Sequence, residues 1–119
     1  MGNQKGYEKL IVWRKADELA YQIYQGTENF PKKEQYGLTS QIRRASVSVP
    51  TNIVEGMGRQ GRKELKHFVN ISLGSLAEVE YLLSFCYRLE ILDQNNFVRL
   101  ESLRNEVGAL LWKFFRSIQ

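Results

Sequence analysis

Any chemistry in this chain has few groups to start from. Glu64-Leu65-Lys66-His67 is a Glu-x-x-His string, the spacing with which some four-helix bundles ligate a pair of metal ions. Such a site takes two copies of the string, and His67 is the only histidine. Leu65, Phe68, Val69 and Ser72 mark the apolar face, so Glu64 and His67 are expected to point away from it. Cys86 is the single cysteine and lies in Leu82-Leu83-Ser84-Phe85-Cys86-Tyr87. It reads as a small buried hydrophobe, because a reactive thiol needs basic, partly exposed surroundings. Gly56-Met57-Gly58-Arg59-Gln60-Gly61 has the composition of a phosphate loop. It lacks the preceding strand and the Lys-Ser/Thr pair, and reads as a turn. Glu78 and Glu80 stand two apart on a helix, so their carboxylates do not converge. No base stands beside a nucleophile. The expectation is no catalytic residue, no metal, no cofactor and no enzyme activity.

The elements that carry these groups are helices. Strand signals are nearly absent, and the only prolines are Pro31 and Pro50. A first helix is expected from about Glu8 to Gly26, with Trp13, Ala16, Ala20, Ile23 and Tyr24 on one face. Phe30-Pro31 biases the backbone away from helix and marks a boundary. The second helix runs from about Glu34 to Met57, with the stripe Leu38, Ile42, Ala45, Val49, Ile53 and Gly56. Pro50 inside it predicts a kink, or a short break at Ser48-Val49. The third runs from about Arg62 to Glu90 on Leu65, Phe68, Val69, Ser72, Leu76, Val79, Leu83 and Cys86. Asp93-Gln94-Asn95-Asn96 is a turn that also starts a helix. The fourth follows from about Asn95 to Ser117 on Phe97, Leu100, Arg104, Val107, Leu111, Phe114 and Ile118. The fold class is all-α: one antiparallel up-down-up-down four-helix bundle over residues 1–119, with its second helix kinked at Pro50. Ser48, Asn52, Ser72 and Ser75 on the seam would let the second and third helices approach closely and bond locally.

With 119 residues, 43% hydrophobic and 25% charged, the chain can bury one ordinary core without staples. The polar start MGNQKGYEKL has no secretory h-region, and Met1-Gly2 lacks the Ser/Thr of a myristoylation site. No apolar stretch approaches the roughly 20 residues of a membrane span. A cytoplasmic protein without membrane contact is expected.

Two surface features suggest partners. Turning each helix by about 100° per residue sets a second apolar row on the second helix: Val47, Pro50, Val54 and Met57. The third helix has Ile71, Leu82, Phe85 and Leu89 off its stripe. Tyr21 and Trp112 also fall off theirs. The expected interface is therefore Val47, Val54, Met57, Ile71, Leu82, Phe85 and Leu89, covered by further copies of the chain. The net charge of +4 is mild, but antiparallel topology gathers it at one end. Lys5, Lys9, Arg59, Arg62, Lys63, Lys66, Lys113 and Arg116 stand there against Glu8, Glu55 and Glu64. The opposite end, with Lys32, Lys33, Arg88 and Arg99 against Glu28, Glu34, Glu90, Asp93 and Glu101, is slightly acidic. Arg59, Arg62, Lys63, Lys66, Lys113 and Arg116 are thus candidates to bind RNA or DNA by charge and shape. Arg43-Arg44 is expected to extend that surface or to pair with acids across an interface. The competing expectation is a scaffold that docks a partner polypeptide without nucleic acid.

Several strings together carry a family resemblance: Phe30-Pro31, Glu34-Gln35-Tyr36-Gly37-Leu38, Ser40-Gln41-Ile42-Arg43-Arg44-Ala45, Ser48-Val49-Pro50-Thr51-Asn52-Ile53-Val54-Glu55-Gly56 and Leu73-Gly74-Ser75-Leu76-Ala77-Glu78. In that order they resemble the four-helix bundle proteins named after 23S ribosomal RNA intervening sequences. Val54 departs from the alanine usual there. The resemblance implies a bundle that assembles as a ring, commonly a homopentamer. It also implies kinship with diversity-generating retroelement accessory proteins, which bind nucleic acid and a reverse transcriptase. It brings no catalytic residues, and it implies structural roles for Glu34, Gly37, Arg44, Asn52, Glu55 and Gly56.

Overall fold

The computed structural model describes residues 6–118. Lys5, counted above toward the basic end, and the Met1-Gly2 pair lie outside the described residues. Four helices make the molecule: α1 (Ile11–Gly26), α2 (Leu38–Gly58), α3 (Arg62–Arg88) and α4 (Gln94–Ser117). Short 3-10 turns at Gly6–Lys9 and Lys32–Glu34 precede α1 and α2. Each helix packs on two others, in the cyclic order α1, α2, α3, α4, and the body measures 43 × 33 × 24 Å.

Specific contacts show how neighbouring helices run. Along α2 and α3, Gly56 approaches Leu65 and Phe68, Val49 meets Ser72, and Ser48 meets Ser75. Along α1 and α4, Gly26 touches Leu100 while Lys15 pairs with Glu106 at 3.2 Å. Along α3 and α4, Tyr87 stacks on Phe97 and Lys66 reaches Phe115. In each pair one chain number rises as the other falls. The enclosed core includes Leu19, Ile23, Ile42, Ile53, Val69, Leu76, Leu83, Leu100 and Leu111.

The helix starts differ from the periodicity, for local reasons. α1 begins at Ile11, because residues 6–9 wind as a 3-10 turn and Leu10 is extended. Its buried face is Val12, Ala16, Leu19, Ala20 and Ile23. Trp13 and Tyr24 were expected on that face, but Trp13 is half-buried and Tyr24 is exposed. They sit roughly 80–100° from its centre, where the Tyr24 ring stays exposed while the Trp13 indole N–H is buried without a hydrogen-bond partner among the described residues. α2 begins at Leu38 rather than Glu34. The Glu34 carboxylate turns back and accepts the Leu38 N–H at 3.2 Å, supplying the missing N-cap bond. A Cβ on Gly37 would lie 2.8 Å from that carboxylate oxygen, so a side chain there would push the Glu34 cap aside.

α2 is continuous through Pro50, with no break at Ser48-Val49. A mid-helix proline removes a donor and crowds the preceding turn. Side chains supply donors around it. Thr51 Oγ1 donates to the Val47 carbonyl at 2.7 Å, Asn52 Nδ2 to the Ser48 carbonyl at 2.8 Å, and Ser72 Oγ of α3 to the Val49 carbonyl at 2.8 Å. Ser48 and Ser75 share a further bond of 2.8 Å across the seam. The small polar residues of the seam thus do what their pattern suggested: they hold two helices close and keep buried groups bonded.

Two residues assigned to the outer row belong to the core instead. Leu82 is 2% exposed, and Pro50 is buried. α3 lies between α2 and α4, so its buried arc is wide enough to take Val79, Leu82, Leu83 and Cys86 together. A single stripe through Leu76 and Leu83 is narrower than this arc.

Candidate functional site

The groups that could do chemistry stay apart. Glu64 and His67 are both exposed, and His67 meets only the edge of Phe68 among ring contacts. No three His, Cys, Asp or Glu side chains gather as ligands among the described residues. Cys86 is fully buried, and its thiol pKa is pushed up from 9.0 to about 11, first by desolvation and then by the Glu34 charge. The native chain therefore keeps its thiol proton at pH values where the unfolded chain loses it. That contribution to stability is intact below pH 9.0 and is lost progressively toward about pH 11. Native protein at neutral pH is expected to react with a thiol reagent only as fast as it opens, whereas denaturant-unfolded protein reacts at once. Rapid labelling of the native chain would contradict this burial.

The cationic end is built by three elements. α2 stops at Gly58, the Arg59 N–H closes on the Gly56 carbonyl at 3.2 Å, and Gly61 takes φ +91° before α3 begins. That positive φ is the left-handed region that favours glycine. The last turns of α4 bring up Lys113 and Arg116. Lys66 spans the two helices, its Nζ 4.9 Å from the centre of the Phe115 ring. Arg59 is held: it donates twice to Glu55 Oε2, at 3.1 and 2.9 Å, and lies over Phe68 at 5.1 Å. Arg62, Lys63, Lys113 and Arg116 are exposed and make no ion pair among the described residues.

Helix electrostatics separates these four. Lys113 and Arg116 suit the negative end of α4. Arg62 and Lys63 stand at the positive end of α3, where a cation costs a few tenths of a kcal/mol. Gly61 gives that helix end no side-chain cap. The surface there combines uncapped N–H groups with the Arg62 and Lys63 cations and the Glu64 carboxylate of the same first turn. Arg43 and Arg44 do not extend it. Arg43 donates to Thr27 Oγ1 at 2.9 Å and to the Tyr24 carbonyl at 3.1 Å, so it closes the far end of α1. Arg44 donates to Ser40 Oγ at 2.6 Å.

The apolar row is thinner than expected. Val47, Met57, Ile71 and Leu89 are exposed, and Tyr21 and Trp112 are too. Val54 and Phe85 are half-buried. Phe85 stacks on Tyr81 at 5.9 Å, with Arg88 over its ring at 5.5 Å. Gly74, in the middle of α3, has open space where a Cβ would point. Glycine there costs about 1 kcal/mol against alanine, and nothing within the single chain requires it.

Fold and surface together define an all-α four-helix bundle with a polar seam and one cationic end. The chain belongs to the 23S rRNA-intervening sequence protein family, whose model matches residues 8–113. Among solved structures it is similar to a protein with unknown function from the S23 ribosomal protein family of Bacteroides thetaiotaomicron VPI-5482. That likeness has a TM-score of 0.80 at 26% identity, covering 89% of this chain and 96% of the other. No curated protein matches the chain.

The motif strings now have mechanical meanings. Glu34 and Gly37 form the start of α2, Asn52 serves the Pro50 turn, Glu55 holds Arg59, and Gly56 admits α3. Missed by the sequence reading were Tyr36, 91% exposed, and the buried, unbonded hydroxyl of Thr39. The i,i+3 offset of Thr39 from Ile42 was the available signal.

Proposed function

We propose that the chain is a non-enzymatic, cytoplasmic accessory protein that assembles with itself, as a ring of five, and binds structured RNA or DNA through its basic end. The observation that carries this reading is the exposed set Arg62, Lys63, Lys113 and Arg116, in no ion pair among the described residues, two of them placed against the α3 dipole. Arg62 and Lys63 are disfavoured by the α3 dipole, a cost that a bound polyanion would offset. Phosphate backbones recognise such surfaces with steep salt dependence. Kinship with retroelement accessory proteins is part of the same proposal. No helix among the described residues is long and apolar enough to cross a membrane.

Self-association is supported by exposed Met57, Ile71 and Trp112, and by Gly74, whose open flank would let a second chain approach closely. Light scattering is expected to give a mass well above one chain. Ile71→Glu is the sharper disruptor than Phe85→Glu, because Phe85 is already half-covered by its own helix. A monomeric mass for the parent protein would sink the assembly half of the proposal.

The binding half is tested with a hairpin RNA and a duplex DNA across a salt series. Steep loss of affinity with salt is expected. Absence of binding at low salt would overturn it and leave the polypeptide-docking scaffold as the reading.

A further inference from the structure

The far end of the molecule holds a second constellation that the basic end does not explain. Where the end of α1 meets the start of α2, a cleft of about 280 Å³ is lined by residues including Tyr24, Tyr36, Thr39, Ser40, Arg43 and Arg44. A neighbouring cleft of about 230 Å³ shares Thr39 and Arg43.

Three observations need an account. Tyr36 is 91% exposed. Its turn is held on both sides, by the Lys32–Glu34 3-10 turn and by the Glu34 cap on Leu38. A large ring kept in water on a built turn gains nothing for the fold. Thr39 is 8% exposed, yet its Oγ1 is buried without a hydrogen-bond partner. An orphaned hydroxyl costs stability unless a guest or water satisfies it. Arg43 is fixed under Tyr24, its guanidinium 4.6 Å from the ring centre, by bonds to Thr27 and the Tyr24 carbonyl. That leaves Arg44, tied only to Ser40 within its own helix, as the exposed charge of the cleft.

The geometry points to a nucleotide site: Tyr36 stacks a nucleobase and Arg44 binds the attached phosphate, over a cleft lined by Thr39 and Ser40. Aromatic rings beside guanidinium groups bind unpaired nucleotides by stacking plus charge, and every base has a face to offer. A paired duplex hides that face, so the guest is a free nucleotide or an unpaired nucleotide of a strand. This site stands apart from the basic end and does not need it.

The test measures fluorescence anisotropy of 1,N6-etheno-AMP, etheno-adenosine and a labelled oligothymidylate at low salt on the full chain. Tyr36→Ala is expected to weaken etheno-AMP binding by about tenfold or more, while Tyr36→Phe retains it. Arg44→Ala is expected to weaken etheno-AMP but not etheno-adenosine, which has no phosphate. Binding of both AMP and the strand supports the site with either source. Strand binding that Tyr36→Ala weakens, without AMP binding, supports the strand as source. No binding of either probe overturns the proposal, as does a Tyr36→Ala variant that binds like the parent. A Tyr36→Ala variant whose mass falls by light scattering overturns it too, because the ring is then a subunit contact. Alanine at Arg62, Lys63, Lys113 and Arg116 should leave etheno-AMP binding intact, so failure of the basic end and failure of this site are separate results.

Discussion

Alanine at Arg62, Lys63, Lys113 and Arg116 together is expected to lower affinity for duplex DNA by about 100-fold or more at low salt. It should also flatten the plot of log affinity against log salt by about 3 to 4, because each phosphate contact contributes roughly 0.9 to the slope. These four are the right set because they are exposed and in no ion pair among the described residues. Arg59 and Lys66 are poorer choices. Arg59 is committed to Glu55 and Phe68, and Lys66 lies on Phe115, so their removal also disturbs packing. The fold provides a control. Losing Arg62 and Lys63 relieves the α3 end, and losing Lys113 and Arg116 weakens the α4 end, each by a few tenths of a kcal/mol. Thermal stability should therefore stay close to that of the parent while binding falls. An unchanged affinity with an unchanged slope would show that phosphate contacts lie elsewhere.

The sequence carried the parts of this molecule that depend on repetition. Ile42, Ala45, Val49 and Ile53 recur with the helix period and lie in the core. Ser48, Ser72 and Ser75 sat on the seam where their size allowed close approach, and they bond across it. What depended on tertiary neighbours was not legible. α2 passes Pro50 unbroken, with a hydroxyl from α3 bonded to the neighbouring Val49 carbonyl, and no local rule encodes that tertiary donor. Leu82 looked peripheral because one stripe was drawn for a helix that is flanked on two sides. The start of α2 moved because a glutamate side chain replaced a helical turn. The same applies to the candidate sites. Charge at one end follows from topology and composition, so the cations of the basic end could be named from the string alone. The Tyr36 cleft depends on a turn held by Glu34 and an arginine bound to a carbonyl of another helix.

Gly56→Val is expected to be strongly destabilising, costing about 3 kcal/mol or more. A Cβ on Gly56 would stand 3.0 Å from Leu65 Cδ1, 3.1 Å from Phe68 Cβ and 3.3 Å from the Leu65 carbonyl oxygen. The leucine methyl can swing aside. The other two atoms belong to or adjoin the α3 backbone, so relief requires the two helices to part. Parting them strains the bonds farther along the seam, Ser48 to Ser75 and Ser72 to the Val49 carbonyl. Overpacking of a closed core costs about 1–3 kcal/mol, and a β-branched side chain adds a further group at the point of contact. Gly56→Ala should cost less, because about 1 kcal/mol of helix propensity offsets the clash. Gly58 supplies the comparison that isolates the cause. It lies in the last turn of the same helix with no atom within 4 Å of its would-be Cβ. Gly58→Ala should therefore be neutral or stabilising by up to about 1 kcal/mol. Denaturant unfolding of these variants reads the contrast directly. Equal effects at Gly56 and Gly58 would mean that α2 does not rely on a close crossing with α3, and that Gly56 serves the turn instead.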